Sequence, residues 1–320
     1  MAARRIIPGN QPAESLRQFP SDKRYLIGIS GGRDSVTLLH WLLAHGYGKL
    51  IVCHLNHRLR GRSSAADARF VMRLAEANGL PCATGEADVT KLARESKQSI
   101  ETAARAARYS FFASVARRRR CHTIFLGHHA DDLVETYLIN LFRGAGLAGQ
   151  RAIREISTRT VDRVQLTLVR PLLGAWRSEI DEYVNANRLR FREDATNATA
   201  ESLRNRIRHR IIPTITKEFG RDIRKPVRRA AAIAAEEEVL LTEMLPELST
   251  TLSVAQLQAL PVALRRRAIA QWLCTQGVAD VGFEMVEDVR SLLDADAGPA
   301  KANLTRGRHA RRRAGELFIE

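Results

Sequence analysis

The chain has 320 residues, 45% hydrophobic and 27% charged, with 51 Lys and Arg against 35 Asp and Glu, a formal net charge of +16. That composition excludes wholesale disorder and predicts about two domains, and the basic excess points to a polyanionic partner, with nucleic acid ahead of an anionic membrane surface. Every apolar run is broken well short of the roughly 20 residues that span a bilayer, and MAARRIIPGNQPAESLRQFP lacks the apolar stretch of a signal peptide, so no membrane association and a cytoplasmic location are expected.

From Tyr25 to Phe142, short apolar runs alternate with longer amphipathic ones. Tyr25–Ile29, Leu50–His54, Pro81–Ala87 and Thr123–Leu126 read as strands; Ser35–Ala44, Ser63–Asn78, Ile100–Ala116 and Asp131–Phe142 read as helices. Val164–Val169 is a last strand. This alternation predicts an α/β fold, a Rossmann-like parallel sheet with helices on both faces. The loops 30–35 and 127–132 each follow a strand, which puts them on the carboxyl edge where such sheets bind ligands. After Val169 helical periods dominate: Ala175–Asn187, Ser202–Ile212, Lys225–Leu245, Val254–Gln276 and Phe283–Asp294, with Pro213 and Pro226 bracketing a connection. The expected organisation is an N-terminal extension over 1–24, a catalytic domain over 25–213, and a small all-helical domain with a basic tail over 214–320. Cys53, Cys82, Cys121 and Cys274 lack CxxC spacing and are read as structural.

Ser30-Gly31-Gly32-Arg33-Asp34-Ser35 carries the strongest chemical signal. Two glycines between a buried strand and a helix start allow positive φ and close backbone approach to a ligand. The free N–H groups and positive dipole end of the helix suit a phosphate, to which the Ser30 and Ser35 hydroxyls can add hydrogen bonds. Asp34 fits an anion site only if a divalent cation such as Mg²⁺ lies between carboxylate and phosphate. The loop is neither a Walker A nor a dinucleotide GxGxxG pattern. It resembles the loop with which PP-loop, or N-type, ATP pyrophosphatases hold ATP.

Further segments narrow the resemblance: His54-Leu55-Asn56-His57-Arg58-Leu59-Arg60-Gly61; Glu101 to Tyr109 with Arg105 and Arg108; Gly127-His128-His129-Ala130-Asp131-Asp132 with Glu135 and Thr136; Arg170-Pro171-Leu172-Leu173; Glu193-Asp194 with Thr196 and Asn197; and Leu203-Arg204-Asn205-Arg206 with Arg208, Ile212 and Pro213. In this order, from Tyr25 to Pro213, they resemble the tRNA(Ile)-lysidine synthetases. That resemblance implies a ligase that uses ATP and Mg²⁺ to adenylate the C2 oxygen of cytidine at the first anticodon position of an isoleucine tRNA with a CAU anticodon. Free lysine then displaces AMP, forming a carbon–nitrogen bond, giving lysidine and changing codon reading from AUG to AUA. The resemblance also implies a homodimer, because some relatives form one. Ser30 to Ser35 would bind ATP, with Asp34 reaching Mg²⁺. Asp132 and Glu135, i and i+3 on one helix, share a face and would receive lysine and cytidine, with Asp132 contributing to proton removal. Asp131 is read as a solvated helix start. His128 and His129 are read as positioning groups, because adjacent residues point apart and no third metal ligand has suitable spacing. Arg105 and Arg108, and Arg204 with Arg208 behind it, would stabilise phosphate charge.

Two alternatives stay open: another PP-loop enzyme such as a tRNA thiolase, which would want paired cysteines, and a non-catalytic RNA-binding module. Longer members of the family carry a further C-terminal domain that this chain, ending at Glu320, is expected to lack. From Arg204 to Arg229 ten basic residues face two acids, a local net charge of +8. Arg224, Lys225, Arg228 and Arg229 in that stretch are expected to line the path of the anticodon arm. The six basic residues between Lys301 and Arg313 read as a disordered tail or a phosphate-tracking patch.

Overall fold

The computed structural model describes residues 14–59, 62–192, 203–294 and 301–320. Arg60, Gly61, the segment Glu193-Asp194 with Thr196 and Asn197, and most of the expected N-terminal extension lie outside the described residues. The chain forms two compact units, one comprising Met1–Asn140 and Ala152–Arg229, the other Leu141–Arg151 and Ala230–Glu320.

In the first unit, β1 (Tyr25–Gly28), β2 (Leu50–Asn56), β3 (Cys82–Glu86), β4 (Thr123–Phe125), β5 (Ile156–Val161) and β6 (Val164–Val169) form one sheet of order β3-β2-β1-β4-β6-β5. All neighbours pair in parallel except β5, an antiparallel edge strand hairpinned onto β6 that the sequence reading does not contain. Strand alternation splits the sheet's apolar residues between its faces. Ile27, Val52, Phe125 and Val169 pack with Leu38, Trp41 and Leu42 of α1 (Arg33–Ala44) and with Ile180 and Val184 of α7 (Arg177–Ala186). Leu26, Ile51, Ile124, Leu166 and Leu168 pack with Tyr109, Phe112, Val115 and Ala116 of α4 (Ile100–Arg119). Burial on both faces explains why these strands are continuous apolar runs. α2 (Arg62–Ala77) and α3 (Val89–Ser96) complete the β2–β3 and β3–β4 crossovers. The strand order reverses at β1, so the expected ligand crevice lies beyond the carboxyl ends of β1 and β4.

α5 (Ala130–Phe142) follows β4, and α6 (Leu147–Gln150) is a single turn in the second unit. Downstream, α8 (Leu203–Arg206) runs through a π-helical turn, Ile207–Ile211, into α9 (Ile212–Phe219). Pro213, near the start of α9, has no N–H to donate into the preceding turn, and the helix widens so that Ile212 N–H bonds back to Ile207 O. Val134, Leu138, Ile207, Ile212 and Ile223 form one cluster, joined at its margin by Ile215 and Val227. That packing keeps residues 214–229 with the first unit, and the two units divide after Arg229, later than the boundary expected at Pro213.

The second unit contains most of α10 (Arg224–Glu243), then α11 (Val254–Ala259), α12 (Val262–Thr275) and α13 (Phe283–Ser291), around a core of Trp272, Leu273, Ile269, Val289 and Leu317. To the expected helices it adds a small antiparallel sheet of order β7-β10-β9-β8, from β7 (Leu252–Ser253), β8 (Ala302–Asn303), β9 (His309–Arg313) and β10 (Glu316–Ile319). The basic run 301–313 is therefore folded and not a tail. Ala302 and Ala310 face its core, Arg308 and Arg312 donate to the carbonyls of Gln276 and Leu293, and Arg311 pairs with Glu320.

Candidate active site

The loop after β1 is built for close approach. Ile29 N–H donates to Cys53 O at 2.9 Å, extending the β1–β2 pairing by one residue before the chain leaves the sheet. Gly31 follows at φ +93°, where a side chain is strained, and its carbonyl accepts the Arg192 N–H at 2.9 Å. Gly32 caps α1 in an extended conformation with no side-chain hydrogen bond, so no capping group occupies the helix terminus. Ser30 Oγ accepts the Gly32 N–H (3.2 Å), and Ser35 Oγ donates to Gly32 O (2.8 Å). Both hydroxyls thus brace the loop, 3.1 Å apart. The opposite wall comes equally close: a Cβ on Gly127 would lie 2.9 Å from the Asp34 carbonyl oxygen. Between them lies a cavity of about 660 Å³, walled by the loop, by His54 to His57, and by Leu126, Phe112 and Arg108. That is the size of a small-molecule site.

Asp34 projects from the first turn of α1. Arg177 Nη1 lies 3.1 Å from both of its carboxylate oxygens, and burial raises its pKa despite His129 and Arg177. Among the described residues no group of three His, Cys, Asp or Glu side chains is arranged to hold a metal. A single partly desolvated carboxylate beside a phosphate-type loop still fits Mg²⁺, which takes one or two carboxylates and completes its shell with phosphate oxygens and water. Arg33, expected at the phosphate, lines the cavity but pairs with Asp181 and stacks over Phe191 at 4.7 Å.

The start of α5 brings four carboxylates and their partners together. Buried His129 has Nε2 3.9 Å from Asp34 and 3.5 Å from Asp132, and Nδ1 3.6 Å from Asp131. Burial disfavours its charge, but these carboxylates raise its pKa overall. Asp132 Oδ2 accepts the His129 N–H at 3.1 Å, capping the helix, and Oδ1 lies 3.5 Å from Arg208. Burial opposes the Asp132 charge, yet His129, His128 and Arg204 bring its pKa down. Glu135, 1% exposed, accepts a bidentate pair from Arg208 at 2.6 and 3.1 Å, with Arg204 Nε at 3.6 Å. Burial dominates there and its pKa is raised. The expected Asp132, Glu135, Arg204 and Arg208 thus meet at one point. Arg108 reaches the cavity wall, while Arg105 lies over the Tyr109 ring at 5.1 Å.

Asp131 is not a solvated helix start. It accepts the Arg177 N–H at 2.8 Å and Arg224 Nη1 at 3.0 Å, tying α5 to α7 and to the first turn of α10. Burial opposes its charge, but His129, the Arg177 N–H and Arg224 together hold its pKa well below the usual carboxylate range. A depressed carboxylate pKa contributes stability that is complete above the unfolded value, near 4, and is lost as pH falls through the folded one. Asp131→Asn should therefore cost about 1.5–3 kcal/mol at pH 7. Its unfolding midpoint should converge on that of the unsubstituted chain as the pH is lowered below 3; a gap independent of pH would exclude the charge as the cause.

A PP-loop domain model matches residues 9–215, and a TilS substrate binding domain model matches 252–318. The tRNA(Ile)-lysidine synthase of Geobacter sulfurreducens is 36% identical over 86% of this chain and 60% of its own length. That of Chlorobaculum tepidum is 35% identical over 85% of this chain and 84% of its own. The chain belongs to the tRNA(Ile)-lysidine synthase family. It spans less than two thirds of several longer family members, including those of Solibacter usitatus (65%) and Bacillus licheniformis (53%). Among solved structures, a U34-tRNA thiolase from Methanococcus maripaludis shares the fold, with TM-score 0.53 and 18% identity over 67% of this chain and 72% of its own.

Within this family member, the residues expected to meet RNA divide. Arg224 pairs with Asp222 and Asp131 and lies over Trp176 at 5.5 Å; Arg228 donates to Gly174 O at 3.1 Å and shares the same ring. These two are engaged within the unit, whereas Lys225 and Arg229 are exposed. Arg177 and Arg192 are absent from the sequence reading, which names Gly127 but gives it no role. Arg177 and Arg192 lack a local motif and reach the loop only through tertiary packing. Gly127 stands inside a quoted motif, but its role depends on a contact with Asp34.

Proposed function

We propose that this chain joins free lysine to C2 of cytidine at the first anticodon position of an isoleucine tRNA with a CAU anticodon, using ATP and Mg²⁺. The observation that carries this reading is the meeting, through His129, of a phosphate-type loop bearing Asp34 with the Asp132–Glu135–Arg204–Arg208 cluster. The C2 oxygen of cytidine is a poor leaving group. It attacks the α-phosphorus of ATP, pyrophosphate departs, and the lysine amine then takes C2 as AMP leaves with the former base oxygen. Mg²⁺ at Asp34 supplies charge neutralisation on the phosphates. The N-terminus of α1, Arg177 and Arg108 add positive potential at the same place. An amine of pKa near 10.4 must lose a proton before it attacks. Asp132, ionised and only loosely paired, is suited to take it; Glu135, matched by Arg208, holds the arginines in place.

His54 sets the nucleoside. Its Nδ1 lies 2.8 Å from Ile29 O, so that nitrogen carries the proton and Nε2 is an acceptor; burial keeps the ring neutral. Nε2 is buried and has no hydrogen-bond partner among the described residues, and the residue lines the cavity beside the loop. A ribose hydroxyl of ATP is the donor that completes it. ATP should bind about three- to tenfold tighter than its 2′- or 3′-deoxy analogue, one neutral hydrogen bond. His54→Ala should erase that preference; a preference surviving in the variant would remove His54 from this role.

The direct test mixes the protein with ATP, Mg²⁺, labelled lysine and CAU-anticodon isoleucine tRNA. Lysine incorporation that requires ATP supports the reading. Transfer of sulfur in place of lysine would favour a thiolase, although burial pushes the Cys53 thiol up to about 12, which leaves it unreactive. A mobility shift with no covalent product would favour a binding module. Lys225, Arg229 and the basic groups around Arg204 are proposed to hold the anticodon arm, and a homodimer is proposed as the assembly. Among the described residues no helix is long and apolar enough to cross a membrane.

A further inference from the structure

The parallel strands begin at the edge opposite the candidate site, and the segments that precede them are strongly basic. Lys23 and Arg24 precede β1, Lys49 precedes β2, Arg117 to Arg120 close α4 before β4, and Arg163 sits in the turn before β6. Direct hydrogen bonds tie these segments together: Tyr25 N–H to Lys49 O (3.2 Å), Cys121 Sγ to Arg24 O (3.2 Å), Arg117 Nη2 to Asp162 O (2.7 Å) and Thr167 N–H to His122 O (2.8 Å). All eight cations are exposed, and only Asp22 and Asp162 stand among them. None of the eight pairs with a carboxylate among the described residues, whereas the arginines of the candidate site are matched almost one for one. β2 alone is seven residues long, so the two edges stand about 20 Å apart, well beyond a Debye length at physiological salt. The patch therefore has a field of its own, and the nucleotide site does not account for it.

We infer that this strand-start edge is a second RNA-binding surface, one that holds the phosphate backbone of an RNA helix without reading its sequence. Arginine supplies six of the eight cations, and its planar fork matches phosphate oxygens. An anionic membrane is the lesser fit: none of the exposed large apolar side chains of the described residues lies in these segments, so nothing there would anchor in lipid. This surface does not depend on the lysine-joining reading, because its ligand need not enter the active site.

The test uses the full chain carrying Arg24→Gln, Lys49→Gln, Arg118→Gln and Arg119→Gln together. The probe is a blunt RNA duplex without an anticodon loop, titrated by fluorescence anisotropy at several salt concentrations. Four lost phosphate contacts should lower the slope of log K against log salt by about 3 to 4, while ATP affinity and the thermal midpoint stay unchanged. The matching set of Lys replacements at the three arginines, with Lys49 retained, should restore most of the slope, which a folding defect would not. An unchanged duplex slope would overturn the inference. Charge-dependent flotation with phosphatidylserine vesicles alongside an unchanged RNA slope would overturn it in favour of a membrane.

Discussion

Asp34→Asn should reduce ATP-dependent lysine incorporation by about 100-fold or more, the scale of losing one preorganised charge at a reacting phosphate, while tRNA affinity stays within about twofold. The side chain is the carboxylate of the phosphate-type loop itself, already partly desolvated and balanced by Arg177. The amide keeps its shape but removes the charge that Mg²⁺ requires. Raising Mg²⁺ should recover part of the lost rate, because the defect lies in metal affinity and not in folding. Rates measured with saturating tRNA and varied Mg²⁺ decide this. Full activity at ordinary Mg²⁺ would remove Asp34 from the site.

Asp132→Asn should separate the two half-reactions. Adenylation needs no base on lysine and should persist, whereas attack by the amine should slow by about 10²- to 10⁴-fold, the usual range for a general base. Adenylated tRNA should then accumulate when lysine is present, above the level expected for the unsubstituted chain. Because free amine rises tenfold per pH unit below pH 10.4, the variant should recover activity between pH 7 and 9 far more steeply than the parent. The amide oxygen introduced by the substitution would still accept the His129 N–H, so the helix cap survives. Equal loss of both half-reactions with no pH rescue would make Asp132 a structural residue.

Much of this site was legible in the sequence because its parts are local. The loop from Ser30 to Ser35 is contiguous between a strand and a helix, and Asp132 and Glu135 share a face by helical spacing alone. What was not legible depends on distance in the chain. Arg177 reaches Asp34 across 143 residues, and Gly127 is required because β4's exit loop touches the Asp34 backbone. Side-chain engagement is not legible either: Arg224 and Arg228, expected on the path of the anticodon arm, are also engaged by Trp176, Asp131 and Gly174. Arginines in β9 hid a strand, because only Ala310 of its five residues is fully buried and no alternation of apolar residues marks it. The +16 charge likewise conceals two unlike populations, arginines paired with carboxylates at the candidate site and exposed cations on the opposite edge that, among the described residues, pair with no carboxylate.

In the proposed reaction the base oxygen is adenylated before lysine arrives. Incubating the protein with α-phosphate-labelled ATP, Mg²⁺ and CAU-anticodon isoleucine tRNA, with lysine withheld, tests it directly. Label should be bound to that tRNA, absent from a tRNA with another base at the first anticodon position, and released as AMP in equal amount to the lysine incorporated when lysine is added. Label that never reaches the tRNA, or that appears on lysine, would contradict it.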